Sequence, residues 1–123
     1  MRRIHIMTLQ ALALIAFGGC AEHALPSLAQ AETLLSQVQA TERGIAGTCV
    51  NNHETSPAPE TFSRLRQAGP ADIVAVHRPP YLNDPADVEL LLKVRDVHAL
   101  HLSVVVRVRG SQCESFSLSE IWN

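Results

Sequence analysis

A helix is the first element that the pattern of apolar and polar positions predicts. Five apolar residues recur at helical spacing on one face: Leu28, Ala31, Leu35, Val38 and Ile45. Ser27 and Gln30 have the spacing of a capping box, in which each side chain bonds to the backbone N–H of the other residue. Gly44 and Gly47 are typical of a helix end. We therefore expect a helix from residue 27 to about residue 44.

Alternation of apolar and polar residues near the C-terminus predicts two paired strands. On the first strand, four apolar residues face one way: Leu102, Val104, Val106 and Val108. The opposite side carries polar residues: Ser103, Arg107 and Arg109. Residues 110–112 form the turn, and residues 113–121 return with Phe116 and Leu118 on one side. The pattern predicts a C-terminal β-hairpin.

Two shorter elements are predicted between the helix and the hairpin. Residues 61–68 form a short helix, which a Gly-Pro pair ends. Residues 73–76 (Ile-Val-Ala-Val) form a short strand, and two consecutive prolines follow it closely. Residues 47–60 are rich in turn-forming residues, so we expect a loop there.

The segment from residue 85 to residue 95 carries two conflicting patterns. Asp84 followed by Pro85 is a helix-opening signal, and the charges that follow are acidic first and basic last, as the helix dipole favours. Four apolar residues nevertheless alternate with other residues, as in a strand: Val88, Leu90, Leu92 and Val94. Leu91 departs from this alternation, so we favour a helix, with a strand as the alternative.

These elements predict a single domain over residues 27–123. Its class is α+β, with the N-terminal helix packed on a small antiparallel sheet that ends in the C-terminal β-hairpin. If residues 85–95 are a strand, the sheet becomes a four-stranded meander.

The first nineteen residues have the parts of a bacterial secretory signal peptide. Arg2 and Arg3 supply a positive start, and residues 9–17 supply an apolar stretch. This stretch is too short to cross a membrane, which needs about 20 apolar residues. We therefore expect export from the cytoplasm, with residues 1–19 as the signal peptide.

A cysteine follows two small residues at the end of the apolar stretch. Residues 16–20 (Ala-Phe-Gly-Gly-Cys) resemble the lipobox of bacterial lipoproteins, in which the cysteine becomes the lipid-carrying N-terminus. The resemblance implies that Cys20 is lipidated, that residues 20–26 are a tether, and that the lipid anchors a periplasmic domain. It also implies the outer membrane as the location, because the residue after the cysteine, Ala21, is not an aspartate. Ordinary cleavage after Ala21 or Ala24 is the alternative and would give a soluble periplasmic or secreted protein; an uncleaved anchor is a third.

The cysteine count bears on disulfide formation. The chain has three cysteines, and an odd thiol is reactive in an oxidising compartment. Once Cys20 carries lipid or is removed, Cys49 and Cys113 are left as a natural pair. Their disulfide would close a loop of about 65 residues and contribute about 4 kcal/mol. Two separate buried thiols are the alternative.

Charge and motifs exclude several classes of function. From Cys20 onward the chain carries eight basic and twelve acidic residues, which argues against nucleic acid as a partner. Asp96, His98 and His101 have metal-ligand chemistry, but they lack an H-E-x-x-H spacing, so we interpret them as surface residues. No serine lies in a G-x-S-x-G motif, and the sequence has no glycine-rich phosphate loop. We expect no enzyme, no metal and no cofactor.

Five residues are candidates for contacts with a partner: His77, Arg78, Tyr81, Arg107 and Arg109. The first three follow a predicted strand, where binding residues often lie. The same segment serves as a rigid connector between prolines, and this interpretation is favoured. The two hairpin arginines fit an anion-binding patch, although we favour their role in protecting a strand from sheet-to-sheet aggregation.

These features predict a small exported cell-envelope lipoprotein that acts as a non-catalytic protein-binding or accessory module. Its expected partners are the membrane, through the lipid, and another envelope or secreted protein. A periplasmic inhibitor or immunity protein against a secreted enzyme is the alternative, and it requires a rigid protruding loop, for which residues 78–84 are the candidate. A small hydrolase or metal enzyme that uses His98 and His101 is a third hypothesis.

Overall fold

A computed structural model describes residues 24–45, 49–52, 58–81 and 83–123. The predicted signal peptide, its cleavage position and Cys20 lie outside these residues. The helices are α1 (Leu28–Glu42), α2 (Pro59–Gln67) and a one-turn 3-10 helix (Pro70–Asp72). The strands are β1 (Val50–Asn51), β2 (Ile73–His77), β3 (Asp87–Lys93), β4 (Leu100–Arg109) and β5 (Gln112–Trp122). Within the described residues, neither α-helix is long and apolar enough to cross a bilayer.

All five strands form one sheet in the order β1-β5-β4-β3-β2. Strands β2 to β5 form an antiparallel meander, and β1 adds a short parallel pair in which Val50 lies opposite Ser115. The predicted α+β class, with an N-terminal helix and a C-terminal hairpin, is confirmed. Gly110 begins the hairpin turn with a φ of +66°, a value that glycine adopts without strain.

Residues 87–93 form a strand, so the helical interpretation of the segment from 85 to 95 is wrong. The Asp84 carboxylate accepts a hydrogen bond of 2.9 Å from the Ala86 N–H. The backbone carbonyl of Asp84 accepts a second bond, of 3.0 Å, from the Asp87 N–H. These local bonds make Asp84 and Pro85 a turn, because a short polar side chain competes with helix formation. The apolar face of β3 is buried in the core: Val88, Leu90 and Leu92.

Helix α1 begins as predicted and packs on the sheet. Ser27 and Gln30 form both bonds of the capping box. The residues of α1 in the core are Ala31, Leu34, Leu35 and Val38. Leu28 is 59% exposed and Ile45 is 56% exposed, so the predicted apolar face is wrong at both ends. At the other end of α1, the Gln39 side-chain amide donates hydrogen bonds to two backbone carbonyls. They belong to Leu65 in α2, at 2.9 Å, and to Ala68 just after α2, at 2.8 Å.

Cys49 and Cys113 form a disulfide with their Cα atoms 5.1 Å apart. Both residues are buried in the core that α1 and the sheet share. The bond lies beside β1, which falls within the predicted loop 47–60 and was not expected. In a domain stabilised by about 5–15 kcal/mol in total, a cross-link worth about 4 kcal/mol is a large share.

Candidate functional site

The loop between β2 and β3, residues 78–86 and described except for residue 82, is fixed by hydrogen bonds. The Arg78 guanidinium donates to the Pro85 carbonyl and, at 3.4 Å, to the Asp87 carbonyl across the loop. Pro79 is buried, whereas Tyr81 is 67% exposed. The loop therefore holds its ends together and presents one aromatic side chain to solvent.

Arg107 on β4 ties this loop to the sheet through two carboxylates. Its Nη1 lies 2.7 Å from Asp84 Oδ2, and its Nη2 lies 3.2 Å from Asp87 Oδ2. The backbone N–H of Ala86, and then Arg107, lower the pKa of Asp84, whereas burial raises the pKa of Asp87 despite the nearby cation. The charge of Asp87 and the hydrogen bond to Asp84 raise the pKa of Arg107. The Arg107 guanidinium thus forms salt bridges with both aspartates.

A second polar group lies on the face of the sheet opposite α1. Glu89 on β3 is only 3% exposed and accepts a hydrogen bond from the hydroxyl of Ser103 on β4. His77 Nε2 lies 3.0 Å from Glu89 Oε1, and its Nδ1 lies 2.9 Å from the Arg78 carbonyl oxygen. The serine contacts the glutamate and not the histidine, so this group lacks the base-to-nucleophile contact of a serine hydrolase. The contacts of Glu89 with His77 and Ser103 instead connect the side chains of β2, β3 and β4.

A cleft of about 550 Å³ lies between the start of α1, the loop 78–86 and the β4–β5 turn. Its apolar lining comes from the residues before α1, from α1 itself and from strands β3 and β4: Leu25, Pro26, Leu34, Val88 and Val108. Arg78, Asp84 and Arg109 also line it and supply the charged groups. Such a combination of apolar surface with a few polar groups is typical of small-molecule sites.

The structure places the five predicted contact residues at the same end of the sheet but in two groups. Arg78 and Arg109 line the cleft, and Tyr81 lies in the adjoining loop. His77 and Arg107 point to the opposite face and are paired with carboxylates. Arg109 is the most exposed of the arginines that form ion pairs, at 84% of its side chain, and lies 3.5 Å from Glu114.

Sequence reasoning missed the acidic residues of this region. Asp87 and Glu89 are the acidic residues that favoured the helical interpretation, whereas both are buried on β3, where Asp87 contacts Arg107 and Glu89 contacts His77. A strand interpretation would have placed them on one face together, because they are two residues apart. Their burial has no sequence signal of its own.

The histidines of the metal-enzyme hypothesis do not form a site. His98 is exposed, and His101 Nδ1 lies 3.1 Å from the Asn123 amide. Among the described residues, no three histidine, cysteine, aspartate or glutamate side chains are grouped to hold a metal ion.

A smaller pocket of about 110 Å³ lies at the other end of the sheet. Asp72 and Arg95 line it and already pair with each other at 2.8 and 3.0 Å. Its size and its internal salt bridge make it a weaker candidate than the cleft.

Comparison of the chain with protein-family models, with curated proteins and with solved structures finds no match in any of the three.

Proposed function

We propose that this chain is a small exported cell-envelope lipoprotein whose domain binds another protein without catalysing a reaction. The observation that carries the proposal is the loop 78–86, which is fixed at its base while Tyr81 is 67% exposed. The contact surface consists of this loop and the adjoining exposed Arg109.

A fixed loop with an exposed tyrosine suits protein recognition for two reasons. Binding costs less conformational entropy when the contacting segment is already ordered. Tyrosine and arginine are also enriched among the residues that contribute most to binding at protein interfaces. Arg78 and Asp84 hold this loop in place, so they position Tyr81.

The disulfide supports the exported location. Cross-links of this kind form and persist in oxidising compartments and are rare in the bacterial cytoplasm. Cys49 and Cys113 are joined, which leaves Cys20 as the one cysteine outside the pair. The lipobox-like sequence that ends at this residue assigns lipid to it.

Intact mass tests the lipoprotein part of the proposal. The full chain with its own leader is purified from a bacterial membrane fraction, beside a Cys20→Ser variant. We expect a mass increased by a diacyl modification that the variant lacks, and a gain of two protons on reduction. Unmodified protein cleaved beyond Cys20 would contradict lipidation.

Photo-crosslinking in cells tests the binding part. A benzophenone amino acid replaces Tyr81, and the matched control replaces Trp122, which is 60% exposed at the far end of β5. We expect a defined protein crosslink from position 81 and none from position 122. With the purified partner, Tyr81→Ala should weaken binding by about 30-fold, the effect of losing a central interface residue, and Trp122→Ala by less than about threefold. Equal behaviour at the two positions would contradict the proposal.

The fixed loop also favours a second candidate, an inhibitor or immunity protein that inserts the loop 78–86 into a secreted enzyme. The identity of the protein crosslinked at position 81 separates the two candidates. An enzyme whose activity falls to zero at one equivalent of this chain favours the inhibitor, and a partner that keeps its activity favours the accessory module.

A further inference from the structure

The cleft lies where the tether joins the domain. Residues 24–26 form part of its lining, together with Leu34 of α1 and Val108 of β4. Its volume of about 550 Å³ falls within the range of about 300–1,000 Å³ that small-molecule sites occupy. Leu25 in the wall is still 44% exposed, so a ligand in the cleft would cover apolar surface that the fold leaves open.

The distance to the predicted lipid attachment point restricts what can fill the cleft. Cys20 is four residues from Ala24 in the wall, and an extended chain spans at most about 3.6 Å per residue, so the cysteine lies within about 14 Å of the cleft. The cleft itself, at about 550 Å³, is too small for a folded domain of about 100 residues, with a radius of gyration of about 13 Å, to enter as a whole. An acyl chain reaches about half of the ~30 Å hydrocarbon core and has both the length and the apolar character required.

We infer that the cleft holds an acyl chain of the lipid on Cys20 when the protein is outside a bilayer. The inference rests on the proposed function, which assigns lipid to this cysteine. A lipoprotein destined for the outer membrane crosses an aqueous compartment, where exposed acyl chains are unfavourable. The acyl chain covers the apolar surface that Leu25 leaves exposed, while the charged group of Arg109 at the cleft stays in contact with water.

The occupant is intramolecular because the tether keeps it near the cleft. A chain attached four residues from the wall is present at a high effective concentration, and a free lipid must compete with it. In a bilayer the same acyl chain has an equivalent apolar environment, so the cleft is then open to solvent or to a partner.

Photo-crosslinking on the lipidated full-length protein tests this inference. A benzophenone amino acid is placed at Ser111, which is exposed and lines the cleft, and in a second variant at Arg109, which is also exposed and lines it. The control position is Val74, which is 50% exposed on β2 and is not part of the lining. The purified protein is freed of detergent, illuminated and digested, and the peptides are identified by mass.

We expect the peptide containing position 111, or position 109, to be joined to the N-terminal lipopeptide at least tenfold more often than the peptide containing position 74. Adding Ala86→Trp to the Ser111 variant, which places a bulky side chain in the cleft lining, should reduce that product at least fivefold.

Three outcomes would overturn the inference: crosslinks to a separate lipid only, crosslinks to another protein only, or no excess over position 74. Intact mass separates this failure from a failure of the proposed function. Lipid on Cys20 without the intramolecular crosslink overturns the inference alone, whereas a chain without lipid overturns both.

Discussion

Gln37, in the middle of α1, accepts a hydrogen bond of 2.8 Å from the backbone N–H of Cys113, near the start of β5. The two residues are 76 positions apart, and the second of them also carries the disulfide. A polar side chain of the first helix thus satisfies a backbone donor of the last strand. The contact fixes the position of α1 along the sheet, which apolar packing alone leaves less defined.

Replacing Gln37 with alanine should lower the free energy of unfolding by about 1–3 kcal/mol, because it leaves the N–H of Cys113 without its acceptor. Unfolding of the oxidised protein in guanidinium chloride measures the change. Gln67→Ala is the matched control, because this residue is exposed on α2 and its amide lies 3.5 Å from the Ser63 hydroxyl. We expect the control to change stability by less than about 0.5 kcal/mol. Equal losses would refute the special role of Gln37.

Removal of the disulfide should destabilise the domain more than the loss of a single hydrogen bond does. The double variant Cys49→Ser with Cys113→Ser is expected to lose about 4 kcal/mol, since a loop of about 65 residues is no longer closed in the unfolded chain. Wild-type protein in a phosphine reductant should show a similar loss, and Cys20→Ser should show none. A double variant as stable as the oxidised wild type would contradict this prediction.

Asp84 and Asp87 should titrate on opposite sides of the ordinary aspartate pKa of about 3.9, although both contact Arg107. The pKa of Asp84 is lowered by the Ala86 N–H and then by Arg107, whereas burial raises the pKa of Asp87. Carboxyl carbon NMR shifts recorded against pH measure the two midpoints directly. The reverse order, or identical midpoints, would show that burial does not distinguish the two groups.

The pair of Asp72 and Arg95 should give the domain a pH-dependent stability in acid. The Arg95 side chain, 2.8 and 3.0 Å from the carboxylate, lowers the pKa of Asp72, and the Gly69 N–H adds to this effect. A carboxyl group with a lowered folded-state pKa stabilises the fold above about pH 4 and loses that contribution as the pH falls through the folded-state value.

Asp72→Asn should therefore lower the Tm by about 4 °C at pH 7, and the difference should shrink as the pH falls below about 4. Asp96→Asn is the control, since Asp96 lies beside Arg95 in sequence but is exposed. A difference between wild type and Asp72→Asn that stays constant from pH 7 to pH 2 would rule out the charge as its cause.

Ser103→Ala should destabilise the protein by about 1–3 kcal/mol, because it leaves the buried Glu89 carboxylate without its hydroxyl donor. Ser117→Ala on the same face of the neighbouring strand is the control, because this serine is only partly buried and its change should cost less than about 1 kcal/mol. Thermal unfolding measures both. A smaller loss for Ser103→Ala than for Ser117→Ala would contradict the assigned contact.

Elements whose signals are local were predictable from the sequence. The capping box of Ser27 and Gln30 places the start of α1, and alternation around Val104 with a glycine turn at Gly110 places the hairpin. The cysteine count also led to the observed Cys49–Cys113 pair. Each of these signals depends on neighbouring residues or on elimination, so no knowledge of distant packing was needed.

Strand β3 was mispredicted because its neighbours decide its conformation. Asp84 and Pro85 match a helix start as well as a turn, and the apolar Leu91 disrupts strict alternation. Pairing with β2 and β4 on both sides settles the competition, and these contacts join residues 8 to 20 positions apart, beyond the reach of a local pattern. Strand β1 was missed because it has only two residues, which are too few for an alternating pattern, and because its pairing partners on β5 are 65 positions away along the chain.

The contact role of the five predicted residues stays a prediction, but the structure separates them by position. Arg78, Tyr81 and Arg109 lie together around the cleft and its loop, whereas His77 and Arg107 contact carboxylates of the domain itself. Sequence cannot distinguish these roles, because Glu89 beside His77 and Asp87 beside Arg107 lie on the mispredicted strand.

The bond between Cys49 and Cys113 also determines how the domain responds to mechanical force. It encloses α2 and strands β1 to β4 in a covalent ring, so tension applied between an anchored N-terminus and the C-terminus passes through the sulfur atoms and bypasses the residues within the ring. Only residues outside the ring can be drawn out, and the described ones, 24–45 and 114–123, extend to about 110 Å at ~3.5 Å per residue. A load between the two termini would detach α1 and β5, and it could not pull the enclosed strands into an extended chain.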